Sequence, residues 1–223
     1  MRLNPIGTVQ IVDYQSGSFC SIKQYKSSDL IIDHEFATPH AGFALRLNSD
    51  KVNGSFVEIG ACDWKINNNT YFLEKEFNWR GVAIDIQKNF VNNYNENRKS
   101  VCVFGDAMSY NWDKYFEENN FQNTIDYLQI DIDKTPPYAN LFALLNLPLS
   151  RYRFNTITLE HCANMDPRLL KMRDIQREIL YSYEYVLVAA GFDEDWWIDS
   201  RLNISESEYN SITYDAWTRK FSI

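Results

Sequence analysis

Residues 54–76 read GSFVEIGACDWKINNNTYFLEKE, an apolar run through Phe56, Val57 and Ile59 that stops at Gly60 and gives way to a helix-forming run with Leu73, Glu74, Lys75 and Glu76. Strand, glycine turn and helix in that order are the first unit of a sheet built with crossover helices. Glu58 sits two residues ahead of the turn glycine, at the end of the strand. The turn begins like a nucleotide-binding loop, but Cys62 and Lys65 stand where the pattern G-x-G-x-x-G has its second and third glycines. A ligand other than a pyrophosphate is therefore the one to consider.

Four more apolar runs follow at similar spacing: GVAIDI, VCVFGD, IDYLQIDID and FNTITLEH. Helical or turn segments separate them, among them QKNFVNNYNENRK, where Phe90 and Tyr94 fall four residues apart on one face. The expectation is an α/β fold, Rossmann-like and doubly wound, with a mostly parallel sheet. After the fifth run a long helix is predicted. Asp166 suits its N-cap, Pro167 its first turn and Gly191 its C-terminal cap, with Met172, Ile175, Ile179, Tyr183, Val186 and Ala190 as a buried stripe. FDEDWWIDSRL and YNSITYDAWTRKF read as further strands forming an antiparallel edge. The chain reads as a single domain over 1–223, with 1–53 as a lead-in or cap at the mouth of the site and 54–223 as the catalytic core.

A length of 223 residues suffices for a domain that buries roughly 70% of its unfolded surface. With 22 Lys and Arg against 30 Asp and Glu, the formal charge is -8, and no basic cluster stands out to follow a phosphate backbone. Nucleic acid is not an expected partner. No stretch approaches the ~20 apolar residues of a membrane span and no signal peptide is read at the N-terminus, so a cytoplasmic protein is expected. Cys20, Cys62, Cys102 and Cys162 are scattered without a C-x-x-C pair and read as reduced thiols. His34 and His40, in DHEFATPH, lack zinc spacing and read as ordinary loop histidines.

Ligands of an open α/β sheet bind outside the carboxyl ends of its strands. Those ends carry Glu58 and Gly60, Asp85, Asp106, Asp131 and Asp133, and Glu160 and His161. One strand-end acid is unremarkable as a solvated carboxylate or helix cap, but five strands in a row ending on acids repel a pyrophosphate. They attract a ligand that has a sulfonium cation, an amino group and ribose hydroxyls, which describes S-adenosylmethionine.

The runs FVEIGACDW, NNTYFLEKEFNWRGVAIDIQ, IDYLQIDID and ITLEH together resemble the FkbM-like family of class I S-adenosylmethionine-dependent methyltransferases, over roughly residues 54 to 200. The resemblance implies the class I methyltransferase fold and O-methyl transfer to a hydroxyl of a small molecule or sugar. It implies that the Gly60–Ala61 turn lets backbone approach the cofactor, with Glu58 and Asp63 near its methionine portion. Asp85 would accept from the ribose hydroxyls, Asp106 and Ala107 would line the adenine, and Asp131 would face the transferring methyl group. The chain departs from the family at Trp64, where glycine is usual, and at Asp85, where many members carry glutamate.

An alcohol is a poor nucleophile while protonated, so a base or a divalent cation is expected to help. His161 could take the proton, or Asp131, Asp133 and Glu160 could hold magnesium or manganese through oxygen ligands. Two other readings remain open from sequence: an NAD-dependent oxidoreductase, and a catalytically inactive fold used for nucleotide binding or assembly.

Overall fold

The computed structural model describes residues 10–12, 19–21, 38–132, 138–163, 166–191, 193–202, 213–215 and 220–222. In chain order the elements are β1 (Gln10–Val12), β2 (Phe19–Ser21), α1 (Pro39–Leu47), β3 (Ser55–Ile59), α2 (Tyr71–Phe77), β4 (Arg80–Asp85), α3 (Lys88–Asn97) and β5 (Val101–Phe104). They continue with α4 (Trp112–Glu118), β6 (Thr124–Ile130), α5 (Ala139–Asn146), β7 (Arg153–Glu160), α6 (Arg168–Ser182), β8 (Tyr185–Ala190), β9 (Glu194–Asp199), β10 (Thr213–Asp215) and β11 (Lys220–Ser222).

Seven strands form one sheet in the order β5-β4-β3-β6-β7-β9-β8. The five apolar runs of the sequence are β3 to β7, parallel to one another, while β9 runs antiparallel to both β7 and β8. The expected mostly parallel sheet with an antiparallel edge is what the chain forms. Alternation along each strand sends successive side chains to opposite faces. Val57, Ile59, Val82, Ile84, Leu128 and Ile130 join Trp112 and Phe116 of α4 and Ala143 and Leu144 of α5 in one cluster. Phe56 and Tyr127, at the alternate positions, pack with Ala41, Ala44 and Leu45 of α1 and Phe72 and Leu73 of α2. Ala83 and Cys102 meet Val91 and Tyr94 of α3 in the same manner.

Three expectations are corrected. The long helix ends at Ser182, not near Gly191: Glu184 adopts a left-handed backbone (φ 62°), and Tyr185–Ala190 is strand β8. Pro167, not Asp166, stands at its N-cap, and Asp166 Oδ1 accepts from the Arg168 N–H at 2.9 Å. The last run does not extend the large sheet, since β10 and β11 pair with each other as a separate two-stranded sheet. Within 1–53, residues 39–47 are helix α1, started by Thr38, whose hydroxyl accepts from the Ala41 N–H; its Ala41, Phe43, Ala44 and Leu45 are buried. Among the described residues no helix is long and apolar enough to cross a membrane.

Candidate functional site

A cavity of about 890 Å3 opens at the carboxyl ends of β3 to β7, in the size range of small-molecule sites. Glu58, Gly60, Ala61, Asp63, Asp85, Asp106, Ala107, Asp131 and Glu160 all line it. The fold thus brings nine of the eleven residues singled out from sequence to one place. Of the remaining two, Asp133 lies outside the described residues, and His161 does not line the cavity.

Gly60 explains how the first loop is held. Its φ is 91°, and a Cβ there would come 1.9 Å from the carbonyl oxygen of Asp131, so only glycine lets the β3 loop cross the end of β6. The N–H groups of Gly60 and Ala61 both donate to the Ile84 carbonyl, and Asp131 N–H donates to Ile59. Cys62, at the position of the second fingerprint glycine, also takes a left-handed backbone (φ 47°). The turn keeps a glycine-like path there despite a side chain.

Asp85 ties this loop to β4. Its Oδ2 accepts from the Cys62 N–H at 2.9 Å and its Oδ1 from the Gln87 N–H at 2.7 Å. A carboxylate has about four lone-pair sites, so two remain for a ligand hydroxyl. Asp63 Oδ1 accepts from the Lys65 and Ile66 N–H groups, and Asp106 Oδ1 from the Met108 N–H, each shaping its own turn.

Glu58 belongs to a buried polar network. Its Oε2 accepts from Thr70 Oγ1 at 2.8 Å and Asn68 Nδ2 at 3.2 Å. Behind them Arg98, fully buried, donates to Glu74, Trp64 carbonyl, Asn68 and Thr70 and lies over the Tyr94 ring. Burial pushes the Glu58 carboxyl up to about 7, against the pull of Arg98 and the two hydrogen bonds. Trp64, the departure from the family pattern, packs edge-on to Tyr71 and against the α3 cluster rather than lining the cavity.

At the far end of the cavity the Glu160 carboxyl faces Asp131, and Asn140 Nδ2 approaches Glu160 Oε2 at 3.4 Å. Burial and then the Asp131 charge raise the Glu160 pKa well above the usual carboxylate range. Two neighbouring carboxyls do not both ionise readily, so Glu160 holds its proton more tightly than an isolated carboxyl does. His161, the next residue along the chain, is 1% exposed. Its Nδ1 accepts from the Ala163 N–H at 3.1 Å, and its Nε2 lies 3.6 Å from Asp195. Arg177 holds that same Asp195 by two hydrogen bonds. The expected base is thus a buried histidine held by its surroundings, and it does not reach the cavity. Among the described residues no three His, Cys, Asp or Glu side chains converge as a metal site.

Sequence reading missed several residues. Gln129, beside Glu58 in the β3–β6 register, lines the cavity with its Oε1 buried and without a partner among the described residues. Ile86 and Met108 also line it, and Ile86 is 64% exposed. An exposed isoleucine directly after a strand-end acid was the available signal. His40, read as a loop histidine, lies in α1 with its Nε2 2.5 Å from Glu194 Oε2. Burial opposes its protonation, but Glu194, Asp131 and Asp193 outweigh this and raise its pKa.

A scan against protein-family models gives no match, and neither does a comparison with curated proteins. Among solved structures the chain is similar to the Aeropyrum pernix fibrillarin in complex with natively bound S-adenosyl-L-methionine (9% identity, covering 86% of this chain and 93% of that one, TM-score 0.47). It is similar to a TehB-like SAM-dependent methyltransferase from Corynebacterium glutamicum (11%, 70% and 87%, TM-score 0.43). It also resembles the S. pombe Dnmt2 methyltransferase (15%, 68% of this chain, TM-score 0.45), of which it spans 50% of the length. Likenesses of this size describe a shared chain path at most.

Proposed function

We propose that this chain is an S-adenosylmethionine-dependent methyltransferase that transfers a methyl group to a hydroxyl of a sugar or other small molecule. The observation that carries this reading is the composition of the cavity wall: six carboxyl side chains and no lysine or arginine among the described lining residues. Such a wall suits a cationic ligand and disfavours a pyrophosphate. The sheet argues the same way, because a dinucleotide-binding sheet has the order 3-2-1-4-5-6, whereas here antiparallel β9 is inserted between β7 and β8.

The residues present fit the cofactor. Gly60 and Ala61 bring the turn after β3 to the cavity wall, Asp85 has acceptor capacity for the ribose, and Glu58 with Gln129, whose Oε1 has no partner among the described residues, offers acceptors for the amino group. Asp106, Ala107, Ile86 and Met108 would enclose the adenine, with Asp63 near the methionine portion. When bound, S-adenosylmethionine supplies an electrophilic methyl group. Glu160 would orient the acceptor hydroxyl and the Asp131 carboxylate would take its proton, in the place first expected of His161. Much of the remaining acceleration would come from positioning.

Isothermal titration with S-adenosylmethionine and with NAD tests the cofactor. The wild-type chain should bind the first, and Asp85→Ala should weaken it by about 1.5–3 kcal/mol, the range for a hydrogen bond to a charged group. Binding of NAD alone, or unchanged affinity in a folded Asp85→Ala variant, would sink the assignment. Mass-spectrometric detection of methylated product from a panel of sugars and nucleotide sugars tests the O-methyl transfer.

A further inference from the structure

A second cavity, of about 550 Å3, lies at the opposite end of the sheet, by the amino ends of β6 and β7 and the carboxyl end of β9. Its charge is the reverse of the first. Three described lining residues are arginines, Arg151, Arg153 and Arg201, and one is an acid, Asp199.

Asp199 is buried and carries two guanidinium groups. Arg153 donates to it through Nε and Nη2 at 3.0 and 2.9 Å, and Arg201 donates through Nε and Nη2 at 3.1 and 2.8 Å. Despite burial, these bonds hold the Asp199 carboxyl far below the usual range, so it stays an anion and cancels one of the two cations. Arg153 also bonds the Tyr183 carbonyl and lies over the Tyr185 ring, which fixes it as a buried support. Arg201 is 58% exposed at its side chain, and its Nη1 makes no hydrogen bond to a described residue. Arg151 reaches Asp113 and Glu117 at 3.2 and 3.5 Å across open surface, and exposed pairs of that kind hold weakly. The Thr124 and Ser150 hydroxyls line the same space.

We propose that this cavity is a second binding site, for an oxyanion of the phosphate class. Arg201 presents its Nη1 and Arg151 a guanidinium held only by exposed pairs, both charged donors of the kind that bind phosphate oxygens, and the two hydroxyls supply neutral donors. The site is independent of the methyl-transfer reading, since the two cavities share no residue.

The experiment is a titration with inorganic phosphate at constant ionic strength held with chloride, read by calorimetry on wild type, Arg201→Ala, Arg151→Ala and Ser150→Ala. Saturable binding is expected, weakened at least about tenfold by either arginine change and less by the serine change, with S-adenosylmethionine titrations unaltered. Glycerol 3-phosphate in a parallel arm, which carries no adenine for the first cavity, separates the sources: tighter binding assigns a phosphate ester, equal binding assigns free phosphate. The absence of saturable wild-type binding at millimolar phosphate overturns the site. So does an affinity unmoved by all three changes.

Discussion

Glu58 is a carboxylate placed where ionisation opposes folding. Its pKa is raised from 4.5 to about 7, so between those values the folded form keeps a proton that the unfolded form has lost. Stability should therefore fall as pH rises through that window and level off above it, by an amount on the order of 3 kcal/mol. Glu58→Gln lacks this linkage. Urea unfolding of both proteins at pH 5 and pH 8 should show the stability difference moving in favour of the variant at the higher pH; a difference that does not change with pH would contradict the assignment. A cationic ligand docked against Glu58 would favour its ionised form, so cofactor affinity should rise over the same window. At this scale the strand-end acids were legible because each follows its own apolar run directly. The choice between Glu160 and His161 was not, since adjacent residues leave a strand on opposite faces and the phase is set only by the packed sheet. Nor was His40, whose partner Glu194 is 154 positions away.

The segment from Asp166 to Gly191 shows how a short apolar period misleads. Met172, Ile175 and Ile179 do fall on α6, but Val186 and Ala190 belong to β8. Six residues of YVLVAA fit a buried strand as well as a helix by periodicity, and the break between them is a backbone choice at Glu184, not a glycine or proline. The inner face of α6 rests on Leu180, which is fully buried in the main core, while Ile179 only packs against it. Leu180→Ala should cost roughly 2–5 kcal/mol, whereas Lys171→Ala, on the exposed face, should stay within about 0.5 kcal/mol. Denaturant midpoints measure both, and a small Leu180 effect would place the helix on the sheet in another rotation. The β3–α2–β4–α3–β5 half was legible throughout, because there each strand, turn and helix is bounded by its own local signals.

Across the whole molecule, sequence order and spatial order part company at one point. β9 lies between β7 and β8, yet β8 precedes it in the chain. The run FDEDWWIDSRL was legible as an antiparallel edge strand, but the residues of β8 read as the end of a helix, so the order of the two strands was not legible, and their pairing is decided by partners far back in the chain. The inner strand carries Trp196 and Trp197, both fully buried, and covers Thr156 to Glu160 of β7. A chain emerging from the ribosome therefore completes β8 before it has anything to pair with, and β7 keeps an open row of backbone donors and acceptors until residue 199 appears. A chain cut after Gly191 freezes that moment. It should self-associate, as unpaired strand edges do, and a synthetic peptide of residues 192–202 should reduce light scattering by filling the gap. A cooperative, monomeric 1–191 fragment would mean that the parallel strands stand without the inserted one. Synthesis from the N-terminus thus makes the stretch between the end of β7 and the end of β9 a window of exposure, in which the rate of translation, and not only the final energy, bears on how much of the chain reaches its native form.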